Sequence, residues 1–330
     1  MGEIVGDAGS DRGSAGTEEA RLTSHSGART FEDAREAAHA EARDDAIPVS
    51  VIVMTKDEER DLPECLASLH RFGEVFVVDS GSSDRTSEIA RDNGVFLINF
   101  EWNQRYPKKK QWCLENLPFS HTWVLYVDAD ERMTPELAAE IEGHIRGRVQ
   151  DQEANYLGFY VGLDYVFLGR VLRHGQRIYK LVLHDRTRSH FPDYDDLDAD
   201  NMWEVEGHYQ PVVEGRVGTL RARLIHDDHD SLYEYFARHN RYSDWEAVLS
   251  KKDAHVGRAQ AQAGTRTHAA NIFAKLPFKP LIFFLYSYVL RGGFFDGTAG
   301  FHYAIAKSFY YWQIGLKKKE RELVARDAPD

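Results

Sequence analysis

The sequence VLYVDADERM, residues 124–133, contains an uninterrupted apolar run that ends in acidic residues at alternate positions. A continuous run of this kind is typical of a strand that is buried on both faces of a parallel sheet. Because side chains alternate along a strand, Asp128 and Asp130 project from the same side, where their like charges require a nearby cation. The alternative is a solvated turn before a helix that begins near Pro135.

The alternation of strand and helix continues on the N-terminal side of this stretch. Apolar patterns predict four strands, at 49–55, 75–78, 95–100 and 122–128, and the segments between them favour helices, among them 86–92 and 109–117. Short links between such elements predict an α/β fold with a mostly parallel sheet and helices on both faces. Ligands bind at the carboxyl ends of such strands, so we expect Thr55, Asp79 and Asp128 to line one crevice.

The composition excludes some classes of protein. The chain has 330 residues, 42% of them hydrophobic, which is enough for a sizeable core. Its net charge of −12 argues against nucleic acid as a partner. Cys65 and Cys113 fit no metal-binding spacing, which indicates a reducing compartment, and no signal peptide is recognisable at the start.

Three regions follow from the pattern. Residues 1–46 are predicted to be a disordered tail, 47–230 the catalytic domain and 231–330 a helical region. The uncharged run Leu281–Leu290 is too short to span a bilayer, so we expect it to lie at a membrane interface, with a second aromatic stretch that ends in Lys317-Lys318-Lys319. The alternative is that these helices pack on the domain or form a dimer interface.

Four segments resemble, in this order and spacing, family 2 glycosyltransferases of the GT-A fold: TKDEERDLPECLASL, VVDSGSSDRTSEIA, KKKQWCLENL and WVLYVDADERMTPEL. Three later segments resemble the branch that includes bacterial lipopolysaccharide-core β-glucosyltransferases: FLGRVLRHG, HDDHDSLYEYFARHNRYSDWEA and GGFFDGTAGFHYAIAKSFYYW. The resemblance runs from about residue 48 to 315. It implies a nucleotide-diphospho-sugar transferase that acts on lipid-linked or cell-envelope glycans at the inner face of the plasma membrane, with a cytoplasmic location.

The resemblance implies a metal site. Asp128-Ala129-Asp130 matches the DxD motif of the family, whose Mg²⁺ or Mn²⁺ stabilises the departing diphosphate. His226 stands where some relatives have a third metal ligand, although a buried, hydrogen-bonded structural histidine is the alternative.

The resemblance also implies nucleotide contacts. Asp79 matches the acid that accepts a hydrogen bond from the base, typically uracil, while a role in the DSGSSD turn is the alternative. Lys108 and Lys109 are expected to be solvated. The other residues that match nucleotide-contacting positions are Thr55, Asp57, Glu58, Lys110 and Asp128.

The chain departs from the resemblance at the position of the general base. The branch usually reads valine-histidine-glutamate where this chain has Gly207-His208-Tyr209, so the glutamate is missing. We predict Glu206 as the base, with Glu204 as the second choice and His208 as a residue that orients the acceptor. The acids of the loop 193–200 could supply the base instead, or keep a mobile lid soluble.

We therefore predict a metal-dependent, inverting glycosyltransferase that moves a hexose from a nucleotide-diphosphate sugar, typically UDP-linked, to a glycan hydroxyl. The missing glutamate motivates one alternative, a nucleotide-sugar-binding protein that has lost catalysis. A dinucleotide-dependent oxidoreductase is disfavoured because no GxGxxG follows the first strand.

Overall fold

The computed structural model describes residues 45–147, 156–193, 196–197, 203–205, 210–249 and 278–327. The predicted tail therefore lies almost wholly outside the described residues, and its disorder stays a prediction. The predicted division at residue 230 also stays a prediction.

Eleven strands are found in the described residues. They are β1 Ile47–Thr55, β2 Phe72–Asp79, β3 Phe96–Asn99, β4 Trp123–Asp128, β5 Glu131–Arg132, β6 Tyr156–Phe167, β7 Arg170–Val171, β8 Ile178–Asp185, β9 Ser189–His190, β10 Val212–Val213 and β11 Arg216–His226. The four strands predicted in the N-terminal half are all present. Their ends differ from the prediction by up to three residues.

Seven α-helices accompany these strands in the described part of the chain. They are α1 Leu62–Ser68, α2 Thr86–Asp92, α3 Lys109–Asn116, α4 Pro135–Gly147, α5 Leu232–Leu249, α6 Lys279–Phe284 and α7 Gly297–Asp327. A π-helical segment, Leu285–Leu290, continues α6, and the 3₁₀ turn Gly293–Asp296 leads into α7.

One sheet of nine strands organises the protein. Its order is β3-β2-β1-β4-β8-β6-β11-β5, and β7 pairs with β6. The first four strands are parallel, β8 runs antiparallel to both its neighbours, and β6 and β11 are again parallel. The predicted α/β class with a mostly parallel sheet is confirmed, while the antiparallel strands β5, β7 and β8 make the sheet mixed.

The core lies on the first strands, as their sequences require. The run IPVSVIVMT of β1 is buried at every position except Pro48, which is half-buried, because it is central in the sheet and rich in β-branched residues. Cys65 of α1 and Cys113 of α3 are fully buried free thiols in this core. Trp245 of α5 belongs to the same hydrophobic cluster, so α5 packs onto the catalytic sheet.

The C-terminal helices are held to the sheet by polar contacts and by packing. The buried carboxylate of Asp296 accepts hydrogen bonds from the backbone N–H groups of Arg173 and His174, at 3.2 and 2.8 Å. Helix α7 packs along α5, where Lys317 Nζ lies 2.8 Å from Asp244 Oδ1. The FLGRVLRHG and GGFFDGTAGF segments therefore meet in the folded chain.

The opposite side of these helices exposes apolar side chains. The exposed large apolar residues of α6, the π-helical segment, the 3₁₀ turn and α7, which we call the apolar face, are Leu281, Leu285, Tyr286, Val289, Leu290, Phe294, Phe295, Phe301, Ile305, Phe309, Trp312, Leu316, Leu323 and Val324. A bilayer-crossing helix would need a longer apolar stretch than any helix in the described residues has.

Candidate functional site

The carboxyl ends of β1, β2 and β4 form one edge of the sheet. The register pairs Thr55 with Asp79 and Met54 with Asp128, so the three predicted residues lie side by side across neighbouring strands. The hydroxyl of Thr55 donates to Asp79 Oδ1 at 2.9 Å. Parallel strands that end at the same edge of the sheet bring their last residues together here.

Asp79 is fully engaged in its own turn. Its Oδ2 accepts hydrogen bonds from the backbone N–H of Ser82 at 2.9 Å and from the hydroxyl of Ser87 at 3.3 Å. The side chain is only 1% exposed. The turn role considered as the alternative is therefore present, and a nucleotide base would have to share this carboxylate with the DSGSSD turn.

Asp57 and Glu58 differ in their surroundings. Asp57 is exposed, has a left-handed φ of 58°, and accepts a hydrogen bond from the backbone N–H of Ser83 at 2.7 Å. Glu58 lies closer to the acids of the site, where burial and the negative charges of Asp130 and Asp61 raise its pKa to about 9. A neutral Glu58 can donate a hydrogen bond at pH 7.

Asp128 has a cation of its own within the protein. Lys180 Nζ, from β8, pairs with Asp128 Oδ2 and lies 2.7 Å from Glu131 Oε1. Glu131 in turn accepts a hydrogen bond from the backbone N–H of Asp128 at 3.0 Å. Burial opposes ionisation of Asp128, but the charges of Lys180 and Lys110 outweigh it and hold its pKa well below the usual range.

Asp130 is brought to His226 by the pairing of β5 with β11. His226 aligns with Glu131, and the backbone N–H of Asp227 donates to the carbonyl of Asp130 at 2.9 Å. His226 Nδ1 and Asp130 Oδ1 lie 3.3 Å apart. Both atoms are buried, and neither has a hydrogen-bond partner among the described residues.

A third acid completes this cluster. Ligand atoms of Asp130, His226 and Asp228 all lie within 4.8 Å of one another. Asp228 is also paired with Arg238 of α5, whose other nitrogen lies 2.8 Å from Asp230 Oδ2. Two carboxylates and an imidazole suit Mn²⁺, and neither of the buried atoms Asp130 Oδ1 and His226 Nδ1 makes a well-formed hydrogen bond to a described residue, so these residues fit a divalent metal.

The prediction that Lys108 and Lys109 are solvated is wrong. Lys108 is buried and pairs with Asp196 at 3.0 Å. Lys109 donates to the carbonyl of Thr55 at 3.0 Å and to Ser80 Oγ at 2.7 Å, so it braces the ends of β1 and β2. Lys110 is half-buried, with its ammonium 5.8 Å from the ring centre of Phe191.

The residues predicted for the base are described only in part. Glu204 is half-buried, and its carbonyl accepts a hydrogen bond from the backbone N–H of Lys109 at 2.8 Å. Glu206 and His208 lie outside the described residues. Asp196 of the acidic loop has a structural role, because it pairs with Lys108 and accepts a hydrogen bond from Trp245 Nε1 at 2.7 Å.

Three residues of the site were missed from the sequence. Lys180 lies in RIYKLVLHD, which has an ordinary strand pattern. The only indication of its role in the sequence was that Asp128 needs a cation nearby. Glu131 follows the DxD motif directly but faces inward. Asp228 was visible in HDDH, a spacing that matches no zinc motif, and only the pairing of β5 with β11 reveals it.

Comparison with known proteins identifies the chain. Residues 50–151 match the family described as glycosyl transferase family 2. The chain contains a glycosyl transferase family 2 domain, and the protein is a glycosyltransferase. This glycosyltransferase is 28% identical over 287 residues to the lipopolysaccharide core biosynthesis glycosyltransferase LpsC of Rhizobium meliloti, an alignment that covers 83% of this chain and 93% of that protein. The resemblance stated from the sequence is confirmed, including its relation to lipopolysaccharide core biosynthesis.

A further relative of the glycosyltransferase aligns over a smaller part of the chain. It is 31% identical to an uncharacterized glycosyltransferase of Rickettsia typhi over 37% of this chain and 40% of that one. Among solved structures, one match is glucosyl-3-phosphoglycerate synthase from Mycobacterium tuberculosis, in complex with Mn²⁺, uridine diphosphate and glucosyl-3-phosphoglycerate. It has a TM-score of 0.36 and 19% identity, and the match covers 70% of this chain and 87% of that one. S. aureus TarS gives a TM-score of 0.36 at 14% identity and covers 78% of this chain and 54% of that one.

Proposed function

We propose that this glycosyltransferase is metal-dependent and inverting, and that it transfers a hexose from a UDP-linked donor to a hydroxyl of a lipid-linked or envelope glycan. The observation that supports the proposal most is the cluster of Asp130, His226 and Asp228, with its two unpartnered buried atoms. It lies beside the strand ends that carry Thr55 and Asp79, so a metal and a nucleotide would share one crevice.

The protein residues would divide the work on the donor. Asp130, His226 and Asp228 would hold Mg²⁺ or Mn²⁺, which stabilises the negative charge of the leaving diphosphate when bound. Asp79 and Thr55 would orient the nucleoside at the ends of β1 and β2.

The acceptor half of the reaction needs a base. Inversion requires a hydroxyl to attack from the face opposite the leaving group while a carboxylate takes its proton. Glu206 remains our proposal for that carboxylate, with Glu204 and His208 in supporting roles. A protein that binds donor and never transfers sugar is the competing function, and the missing glutamate of the branch favours it.

The donor class is tested by thermal unfolding with UDP, UDP-hexoses and other nucleotide sugars, each with Mn²⁺, Mg²⁺ or EDTA. A ligand at about 100 times its dissociation constant adds about 2.7 kcal/mol of stability. We expect stabilisation by one nucleotide class that EDTA abolishes. Equal stabilisation with and without metal would refute the metal assignment, and turnover with any acceptor would refute the competing function.

We also propose that the apolar face contacts a bilayer that carries anionic lipids. Residues 278–319 contain six lysine or arginine residues and a single acid, Asp296, in a protein whose net charge is −12. Asp296 is buried, so the surface around the exposed aromatic and aliphatic side chains is basic. Aromatic residues next to cations suit the headgroup region of such a membrane.

The membrane contact is tested by flotation with vesicles of anionic or neutral lipid. We expect binding to anionic vesicles that Trp312→Glu and Leu316→Glu both weaken. Tyr233→Glu, at a position on α5 that is 83% exposed, is the matched control and should bind as the wild type does. Sedimentation as a concentration-dependent dimer, with no vesicle binding, would assign the apolar face to a second copy instead.

A further inference from the structure

Lys307 is a half-buried cation that contacts a histidine and two tyrosine rings. It lies on α7, and its Nζ contacts His239 Nε2 of α5 at 3.0 Å. Its ammonium also lies 5.7 and 5.9 Å from the ring centres of Tyr303 and Tyr310. No carboxylate among the described residues pairs with it, although buried charges in proteins are normally paired.

Two tyrosine hydroxyls nearby also lack partners. The hydroxyl oxygens of Tyr303 and Tyr235 are buried and have no hydrogen-bond partner among the residues that the structure describes. Tyr303 is only 6% exposed. The ring of Tyr303 lies directly beside the ammonium of Lys307. Tyr235 contacts the ring of His239, with centroids 4.0 Å apart, and His239 in turn contacts Lys307. Two unused donors and an uncompensated cation therefore share the junction of α5 and α7.

The charges around this junction favour an anion. Burial and the neighbouring charge of Arg238 lower the pKa of Lys307 to about 8, so the ammonium form still predominates at pH 7. Arg238 is neutralised by Asp228 and Asp230, whereas Lys307 is not. An incoming anion would gain a charge-assisted hydrogen bond from Lys307 and two neutral ones from the hydroxyls.

The junction is next to the metal cluster but away from the nucleotide side. The ring of Tyr165 lies 4.3 Å from that of His226 and 5.9 Å from that of Tyr303. Tyr165 is on β6, and the strands β8, β4 and β1 lie between β6 and β2, the strand that ends at Asp79. A group bound at Lys307 would therefore lie next to the metal cluster but several strands from Asp79, and this is where we expect the second substrate to enter.

We propose that Lys307, Tyr303 and Tyr235 bind an anionic substituent, phosphoryl or carboxylate, of the acceptor glycan. The proposal rests on the proposed function for the identity of the second substrate. It predicts that the enzyme selects acceptors that carry a negative charge close to the hydroxyl that is glycosylated.

The test uses inorganic phosphate as the probe and measures its binding to the whole protein by titration calorimetry. The buffer contains EDTA, and phosphate replaces chloride so that the ionic strength stays constant. We expect saturable binding to the wild type that weakens at least tenfold in Lys307→Met and is retained in Lys307→Arg. Tyr303→Phe should weaken binding without loss of folding. Lys319→Met, at an exposed position of the same helix, is the matched control and should bind as the wild type does.

Two results of these titrations would contradict the proposed anion site. Phosphate that binds wild type and Lys307→Met equally, or does not bind the wild type, overturns the site. If Lys307→Met fails to fold, the comparison of Tyr303→Phe with wild type takes its place, and equal affinity in that pair overturns the site.

A second titration separates the acceptor from the donor as the source of the anion. Phosphate affinity is measured again with saturating UDP and Mn²⁺. Unchanged affinity supports an acceptor group, and displacement of phosphate by UDP assigns Lys307 to the donor diphosphate and overturns the proposal. If UDP does not bind at all, the proposed function fails while the phosphate titration in EDTA still stands.

Discussion

Two regions of the molecule satisfy their buried charges differently. One is formed by the strand ends of β1, β2 and β4, and the other by the helices α5 and α7. At the strand ends nearly every charged group has an opposite charge or a hydrogen-bond partner, as Asp128 has with Lys180. At the junction of α5 and α7, Lys307 has a histidine but no carboxylate beside it, and the hydroxyls of Tyr235 and Tyr303 have no hydrogen-bond partner, as far as the described residues show. Asp130 and His226, the third case, lie 3.3 Å apart and make no well-formed hydrogen bond through these facing atoms within the described part of the chain. Groups left without partners mark where a ligand can add binding energy.

Asp130→Asn should have the largest effect. It removes a negative charge from the metal cluster, so we expect Mn²⁺-dependent UDP binding and sugar transfer to fall about a thousandfold, which corresponds to about 4 kcal/mol. Calorimetry of UDP with Mn²⁺ measures the binding, and circular dichroism checks the fold. Lys307→Met is the comparison and should keep UDP affinity; a parallel loss in that variant would show that the two regions form one site.

Lys180→Met should destabilise the folded protein. It leaves Asp128 and Glu131 without their cation, and Glu131 is 1% exposed at its side chain, so we expect a loss of about 3 kcal/mol in the free energy of unfolding. Urea denaturation measures this loss. The double variant Lys180→Met, Glu131→Gln should recover part of it, and a single variant as stable as Lys319→Met would contradict the role of Lys180 as counter-ion.

His184→Gln should flatten the dependence of stability on acid pH. Burial lowers the pKa of His184 to about 3, whereas the unfolded histidine titrates near 6.5. Below pH 6.5 the unfolded chain takes up a proton that the folded protein excludes, so stability present above pH 6.5 is lost as the pH falls.

Between pH 6.5 and 5 the wild type should therefore lose about 2 kcal/mol that His184→Gln does not lose. Urea unfolding at both pH values gives the difference. His70→Gln, at an exposed position, is the matched control. An identical pH slope in wild type and His184→Gln would mean that this buried base is charged in the folded protein.

Tyr303→Phe should have the smallest effect on the free energy of unfolding, and the sign of that change is informative. Because the hydroxyl of Tyr303 is buried and the described residues offer it no hydrogen-bond partner, its removal should leave stability unchanged or raise it by about 1 kcal/mol. Tyr126→Phe is the matched comparison, because the hydroxyl of Tyr126 donates to the carbonyl of Lys110 at 2.8 Å. That variant should lose about 1 kcal/mol. Equal losses in both would show that Tyr303 has a partner in solution.

The same contrast explains what could be predicted from the sequence. The apolar strands and the acids at their ends carry local signals, so β1 to β4 and the meeting of Thr55, Asp79 and Asp128 followed from alternation and parallel pairing. Lys180 and Asp228 reach the site through strands that are distant in sequence, and strand pairing across such distances leaves no local pattern. The burial of Lys108 and Lys109 was missed because charged runs usually face solvent.

The fully buried thiol of Cys65 can report on local opening of the site. Its sulfur lies 3.7 Å from the carbonyl oxygen of Asp128, directly beneath the acid pair, and burial raises its pKa well above the usual range. A thiol reagent can therefore reach it only when α1 separates from β4. The rate of alkylation then measures how often the floor of the crevice opens. A donor that closes the crevice should slow this labelling, whatever the sugar or the acceptor.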